Sequence, residues 1–176
     1  MKLWTPPGTD LGEFAPPDPD PMMLKMIGGF DDNGEERPMT YRRLKEVAQD
    51  LVITSTTPEG PANLLDDARE MFAMSFYRYP MVTGSAVFSI FAVEAALKLR
   101  LNNRDNFQAN IQRATQQGLI SAEAAEAVDA GRQIRNNYLH EGKRPQWTLG
   151  QAYPAIGASF RLVSERYPEP VGPGAG

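Results

Sequence analysis

The sequence predicts an all-α protein, in which about five to six helices form a bundle behind an irregular N-terminal arm rich in proline and glycine. Apolar residues recur at spacings of three and four through most of the chain after residue 38, as they do on the buried faces of helices. Residues that favour helix starts or stops separate these stretches. No alternation typical of strands and no internal repeat stands out. With 176 residues, a single domain with a substantial core is expected.

The first 37 residues predict an arm without long regular elements. They contain the runs PP, PPDPDP and GG, and proline removes a backbone donor and restricts the residue before it. The arm is nevertheless more apolar than a typical disordered tail, because it includes Trp4, Phe14, Met23 and Phe30. We therefore expect part of it to pack on the bundle or on a partner.

Residues 38–60 predict an extra helix and a linker. Thr40 is a good N-cap, and apolar residues recur at helical spacing from about residue 41 to residue 53. The run TSTTPEGP then ends the helix and forms the linker.

The main bundle is predicted for residues 61–167. Its first helix, from Asn63 to Tyr79, has a wide apolar stripe on one face and is stopped or kinked by Pro80. The second, over about residues 83–101, is apolar on most sides until Glu94. That pattern is typical of a central helix surrounded by others.

Three further helices complete the predicted bundle. The first begins at Asp105 or Asn106 and runs to about Gln117, with Gly118 as its C-cap. Ser121 begins the second, which we call the motif helix and which Gly142 terminates. The last runs over about residues 148–166 and tolerates Pro154 near its start, and residues 168–176 predict a flexible tail.

The motif helix has a predicted buried stripe, which consists of Ile120, Ala124, Ala127, Gly131, Ile134 and Tyr138. At 100° per residue, Arg135 then lies on the flank of the buried face and His140 nearly opposite its centre. Asn136 and His140 are four residues apart and share an outer face.

Composition excludes several classes of protein and site. The chain has no cysteine and one histidine, so the sequence predicts no disulfide, no metal site and no cofactor. The carboxylates of Asp66, Asp67 and Glu70 fit a solvated helix face better than a metal site. The N-terminus lacks the pattern of a secretory signal, and the most apolar stretch, residues 86–93, is far shorter than a membrane span. We expect a cytoplasmic protein without a membrane segment.

Charge is distributed unevenly along the chain. The net charge is −4, but residues 1–37 hold eight acidic and three basic residues, a net of −5, so the remainder carries +1. The segment around the end of the motif helix, residues 131–144, has one acidic residue, Glu141, and four basic residues, Arg132, Arg135, Lys143 and Arg144. Two interpretations stay open, a local positive field that attracts a polyanion and ordinary solvated charges at a helix end.

The hexapeptide RNNYLH, residues 135–140, carries the strongest functional signal. An arginine followed by a polar residue and, four to six positions on, by a histidine resembles the motif of the HEPN (higher eukaryotes and prokaryotes nucleotide-binding) family. Arg135, Asn136 and His140 fit that motif. The helices of residues 61–167 follow the order of that family's bundles, with Glu94 and a Leu-Lys pair near the end of the second helix.

The resemblance implies a metal-independent endoribonuclease that cuts RNA at the cleft of a homodimer, with both motifs facing the cleft. Arg135, His140 and Asn136 would be the catalytic residues, and Arg132, Lys143 and Arg144 would bind RNA. An imidazole with a pKa near 6.5 accepts a proton at neutral pH, and the guanidinium fork matches phosphate oxygens. The implied biology is a toxin or antiphage effector, restrained by an antitoxin or by another partner protein of a defence system.

Two other functions and a structural explanation remain open. The same helices would serve a non-catalytic interaction or dimerisation module in a defence or restriction system, since family membership and catalysis are separable. A regulator that binds nucleic acid without cutting it would use the basic residues alone. The structural explanation needs no function for the motif. The helix dipole favours a histidine in the last turn, and the alkyl stem of Arg135 would cover a flank of the helix.

Overall fold

The computed structural model describes residues 17–141 and 147–170. Within these residues the chain forms six α-helices and one two-stranded sheet, which confirms the all-α bundle. The strands are β1 (Ile27–Phe30) and β2 (Glu36–Pro38), and the helices are α1 (Tyr41–Gln49), α2 (Glu59–Met74), α3 (Met81–Leu101), α4 (Phe107–Gln116), α5 (Ala122–His140) and α6 (Leu149–Arg166).

α3 is the helix around which the others pack, as its sequence predicts. It contacts α2, α4, α5 and α6, and twelve of its 21 residues are buried. The buried hydroxyl of Ser85 donates to the Ala68 carbonyl of α2 at 2.6 Å, so close packing leaves this polar group satisfied. Within the described residues, α3 is the one helix long and apolar enough to cross a membrane, and 56% of its most apolar window is buried inside the protein.

Four helices begin at side-chain caps. Thr40, Asn106, Ser121 and Thr148 each accept the N–H of the residue three positions on, at 2.9–3.2 Å. Such caps satisfy donors that the first helical turn leaves unpaired. After α4, Gly118 adopts φ +66° and ends the helix as the sequence predicts.

α1 ends at Gln49, earlier than the predicted residue 53. We attribute the earlier end to tertiary packing, because the chain turns so that Leu51, which is 3% exposed, enters the core. The loop that follows is fixed by the end of the chain. Ser55 donates through its N–H and its hydroxyl to the two carboxylate oxygens of Glu169, at 2.6 and 2.5 Å. These bonds lower the pKa of Glu169 and hold the start of the segment predicted to be a flexible tail.

α2 lies earlier in the chain than the predicted range, residues 63–79. It begins inside the predicted linker, with Pro58 before its first residue and Pro61 in its first turn. Proline is tolerated in the first turn because the N–H that it lacks would have no partner within the helix there. α2 ends before Ser75, whose hydroxyl donates back to the Phe72 carbonyl at 2.5 Å. The residues that follow form turns before α3.

The end of the arm and the residue after it form a short hairpin, residues 27–38, which the sequence does not predict. β1 and β2 pair antiparallel, and the Asp31 carboxylate closes the turn by accepting the N–H groups of Asn33 and Glu35 at 2.9 and 2.8 Å. A Cβ on Gly28 would lie 2.6 Å from the Pro38 carbonyl oxygen. The absence of a side chain at Gly28 is therefore what allows the strands to approach at this point.

The arm packs on the bundle, as the sequence predicts. Met23 is fully buried. The N–H of Asp20 donates to the Phe76 carbonyl at 2.9 Å, and its carboxylate accepts the N–H of Tyr79 at 2.8 Å. The Tyr79 hydroxyl donates to the Trp147 carbonyl at 2.6 Å. Burial, and then the Asp20 carboxylate, raise the pKa of Tyr79, so this hydroxyl keeps its proton.

We expect Phe72→Ala to lower the free energy of unfolding by about 3–5 kcal/mol, because a ring that is 2% exposed leaves a cavity in the core. Phe30→Ala is the matched control. Its ring is 65% exposed on β1, and its loss should change stability by less than about 0.5 kcal/mol. Urea unfolding followed by far-UV circular dichroism measures both. Equal effects would contradict the placement of the core.

Candidate functional site

α5 carries the motif on the outside of the bundle. It packs on α3 and α4, yet none of its residues is fully buried. The predicted stripe is therefore only partly correct, since Gly131, Ile134 and Tyr138 are half-buried and Ala127 is exposed. The physical reason is that α5 stands apart from α6, which leaves a groove where the sequence predicts core.

The groove between α5 and α6 has a volume of about 540 Å³ and a floor formed by α3. Its walls are mostly small and apolar, with Ala127 and Gly131 from α5 and Ala155 and Ala158 from α6. Trp147 also lines it. Neither Arg135 nor His140 faces this groove, so the motif lies elsewhere on α5.

Arg135 is held against α3 by an ion pair. Its Nη2 donates to Oε2 of Glu94, and Nζ of Lys98 donates to the other oxygen of that carboxylate at 2.7 Å. The side chains of Glu94 and Arg135 are 12% and 20% exposed. Both charges lie mostly out of water, so the loss of either leaves its partner poorly solvated. The predicted position of Arg135 on the flank of the buried face is confirmed.

Phe91 covers the face of the same guanidinium. The central carbon of the Arg135 guanidinium lies 5.2 Å from the Phe91 ring centroid, a cation–π distance. Phe88 meets Phe91 edge to face, with ring centroids 5.8 Å apart and planes at 78°. Nε of Arg135 is buried and has no hydrogen-bond partner within the described residues. The orientation of this arginine is thus set by α3 and not by α5 alone.

Asn136 contacts Arg135 and not His140 in this structure. Its Oδ1 accepts from Nη1 of Arg135 at 2.7 Å. Because arginine only donates, this contact requires the amide oxygen of Asn136 to face it, and the amide nitrogen is left to donate elsewhere. Asn136 therefore links the fixed arginine to the outer face of α5.

His140 is the last residue of α5 and is exposed, as the sequence predicts. Five residues of helix place it about 7.5 Å along the axis from Arg135 and about 140° around it. One chain therefore presents the arginine beside α3 and the histidine at the free end of the helix. The two residues do not share a face.

The predicted RNA-binding residues are only partly described. Arg132 donates through Nε to Asp129 at 2.6 Å, and its side chain is 18% exposed. The bonds from Arg132, and then from Gln133, lower the pKa of Asp129. Arg132 is thus already paired within its own helix. Lys143 and Arg144 lie outside the described residues.

Three residues that hold Arg135 in place are not among the predicted site residues. They are Glu94, Lys98 and Phe91. The family resemblance draws attention to Glu94 and to the Leu-Lys pair that includes Lys98, but it assigns no role to either residue. Nothing in the sequence analysis points to Phe91. A signal for Glu94 exists, since it is the carboxylate that interrupts an otherwise apolar helix, and a buried charge needs a partner. The partner itself follows from helix packing, which spacing along the chain does not give.

Two of the carboxylates on α2, Asp66 and Glu70, form ion pairs. Asp66 accepts from Arg69 at 2.5 Å, and Glu70 lies 3.9 Å from Lys45. In the part of the chain that the structure describes, no group of three or more possible metal-ligating side chains occurs.

We compared the chain with known protein families, curated proteins and solved structures. No family model, no curated protein and no solved structure matches this chain.

We expect Glu94→Ala to lower the free energy of unfolding by about 3–5 kcal/mol, because it leaves the Arg135 and Lys98 charges without their buried partner. Glu46→Ala is the control. Glu46 pairs with Arg43 at 3.5 Å but is 52% exposed, so its loss should cost about 1 kcal/mol or less. Chemical denaturation measures both.

A double-mutant cycle separates the ion pair from simple packing. If Glu94 stabilises through Arg135, the pair of substitutions Glu94→Ala and Arg135→Ala should cost less than the sum of the single ones. Additive costs would show that the two side chains act independently.

Proposed function

We propose that the protein is a metal-independent endoribonuclease of the HEPN type that works as a homodimer. One observation carries the proposal. The single histidine of the chain lies exposed at the end of the same helix whose arginine is held by a buried carboxylate. A fixed cation and a solvent-accessible base are the two groups that RNA cleavage by the neighbouring 2′-hydroxyl needs.

In the proposed reaction His140 accepts the proton of the 2′-hydroxyl, and the freed oxygen attacks phosphorus. The bond from phosphorus to the 5′-oxygen breaks, and the leaving oxygen takes up a proton. The products are a 2′,3′-cyclic phosphate and a 5′-hydroxyl. Arg135 stabilises the negative charge that builds on the phosphoryl oxygens.

In the proposed reaction, Arg135 reaches the phosphate without leaving Glu94. Nη2 stays on Glu94, while Nη1 gives up the neutral Asn136 oxygen for a charged phosphate oxygen, because hydrogen bonds between charged partners are stronger than those to a neutral acceptor. The amide of Asn136 then turns its nitrogen or oxygen to the substrate. Glu94 keeps the guanidinium in place throughout, so that no reorganisation is needed during the reaction.

The separation of the two residues on α5 supports the dimer. A phosphate seated on Arg135 of one copy lies far around the helix from His140 of that copy. A second copy facing the first brings its own His140 to that phosphate, where the imidazole accepts the 2′-hydroxyl proton, and water protonates the leaving 5′-oxygen.

We further propose that the enzyme acts on RNA in the cytoplasm as a toxin or antiphage effector, held in check by an antitoxin or another defence protein. Arg132 contributes to RNA binding in this proposal only when Asp129 releases it. Lys143 and Arg144, next to the motif helix, are proposed to contact the phosphate backbone.

A second candidate, a non-catalytic interaction module, is favoured by a different observation. The groove between α5 and α6 is apolar and about 540 Å³ in volume, and Arg135 already has a structural role in pairing with Glu94. Under this function the motif residues maintain a docking surface for another component of a defence system. RNA would then stay intact.

His140→Ala should lower the rate of RNA cleavage in EDTA by roughly 100- to 10,000-fold, the usual loss for a general acid or base. Its side chain is exposed, so the fold should be unaffected. The control is Asn137→Ala, an exposed position in the same turn, which should cleave like the parent. Gel analysis of labelled RNA, with mapping of cyclic phosphate ends, measures the rates.

For the arginine the informative variant is Arg135→Lys, because Arg135→Ala also removes the partner of Glu94. The lysine keeps a positive charge beside Glu94 but loses the planar fork, so cleavage should fall while the unfolding midpoint stays close to that of the parent. Intact RNA with the parent protein would favour the interaction module instead.

A further inference from the structure

A second groove lies beside the motif, between α2, α3 and the end of α5. Its volume is about 300 Å³. Phe88 and Phe91 of α3 and Tyr138 and Leu139 of α5 line it, and the exposed Arg78 is the one charged residue among those that line it. Nothing in the proposed cleavage reaction uses this groove.

We infer that this groove binds a nucleobase of single-stranded RNA, next to the phosphate at Arg135. The inference deepens the proposed function and rests on it for the kind of nucleic acid. Proteins that bind single-stranded RNA commonly stack unpaired bases on the faces of phenylalanine and tyrosine rings and on arginine planes. Phe88, Phe91 and Tyr138 put such rings in one place.

The groove adjoins the candidate catalytic residues directly. Phe91 lines the groove and also covers the guanidinium of Arg135. On α5, Leu139 lies about 40° around the helix from Arg135 and about 60° from Asn136. A base in the groove would therefore place its own phosphate on the side of α5 that carries Arg135 and Asn136.

Charge and size favour a base over other occupants. Among the described residues that line this groove there is no carboxylate, and Arg78 supplies a positive charge for a neighbouring phosphate. The groove between α5 and α6 differs, because the carboxylate of Glu165 lines it. A volume of about 300 Å³ is at the lower end of ligand pockets, which suits one flat ring system better than a helix.

The test uses the full chain carrying His140→Ala, so that RNA is bound without being cut. A short single-stranded RNA carries the fluorescent base 2-aminopurine at each position in turn, and stacking on an aromatic ring quenches its emission. We expect quenching at one position. Phe88→Leu, which removes the ring but keeps an apolar side chain, should abolish that quenching and weaken binding on the order of tenfold.

Two controls separate stacking from a general effect on the fold. Phe88→Tyr keeps a ring and should retain the quenching, and Phe30→Leu, on the exposed hairpin, should leave it unchanged. An abasic RNA at the quenched position should bind the parent as weakly as intact RNA binds Phe88→Leu.

The outcomes distinguish this inference from the proposed function. Cleavage by the parent without a quenched base would overturn the base groove and leave the nuclease intact. Quenching that depends on Phe88 in a protein that never cuts RNA would support the groove and overturn the nuclease. If Phe88→Leu instead reduces self-association and RNA shows no quenching, the groove belongs to an interface between chains and the inference fails.

Discussion

The carboxylate of Glu94 is the constraint on which the rest of the site depends. It lies in the central helix among apolar neighbours, where an unpaired charge is costly, and it binds Arg135 on one oxygen and Lys98 on the other. α5 has no fully buried residue of its own, so this ion pair and the contact with Phe91 contribute strongly to how that helix is rotated on the bundle. The position of Asn136 and the outward direction of His140 follow from that rotation.

Under the proposed function, stability and chemistry meet in one side chain, Arg135. Arg135 is mostly buried, which a purely structural ion pair would explain, and it also keeps one edge toward the surface through Asn136. An arginine that is fixed before substrate arrives loses little freedom on binding phosphate, which is the advantage of a preorganised site. The same burial means that activity measured on an alanine variant at this position mixes two effects, and a lysine variant separates them.

The elements that the sequence predicts best are those set by local chemistry. Caps at Thr40, Asn106 and Ser121 depend on neighbouring residues alone, and the structure confirms them. The predicted stop at Pro80 is wrong, because α2 ends at Met74 and Pro80 directly precedes α3. The sequence does not predict the hairpin of residues 27–38, because glycine usually interrupts strands, whereas the close approach to the Pro38 carbonyl requires a glycine at position 28. The half-open face of α5 was missed because periodicity identifies an apolar stripe but not whether a neighbouring helix covers it.

None of the residues of α5 is fully buried, and this has a consequence for how the protein can be controlled. A helix that buries little surface opens at a lower free energy than the bundle as a whole, and such sub-global opening leaves the remaining core intact. A partner that binds the freed edge of α3 would draw the population toward the opened form by mass action. Regulation would then proceed by detaching the motif helix from its carboxylate anchor, without any contact with the groups that touch substrate, and amide hydrogen exchange in residues 122–140 would report it.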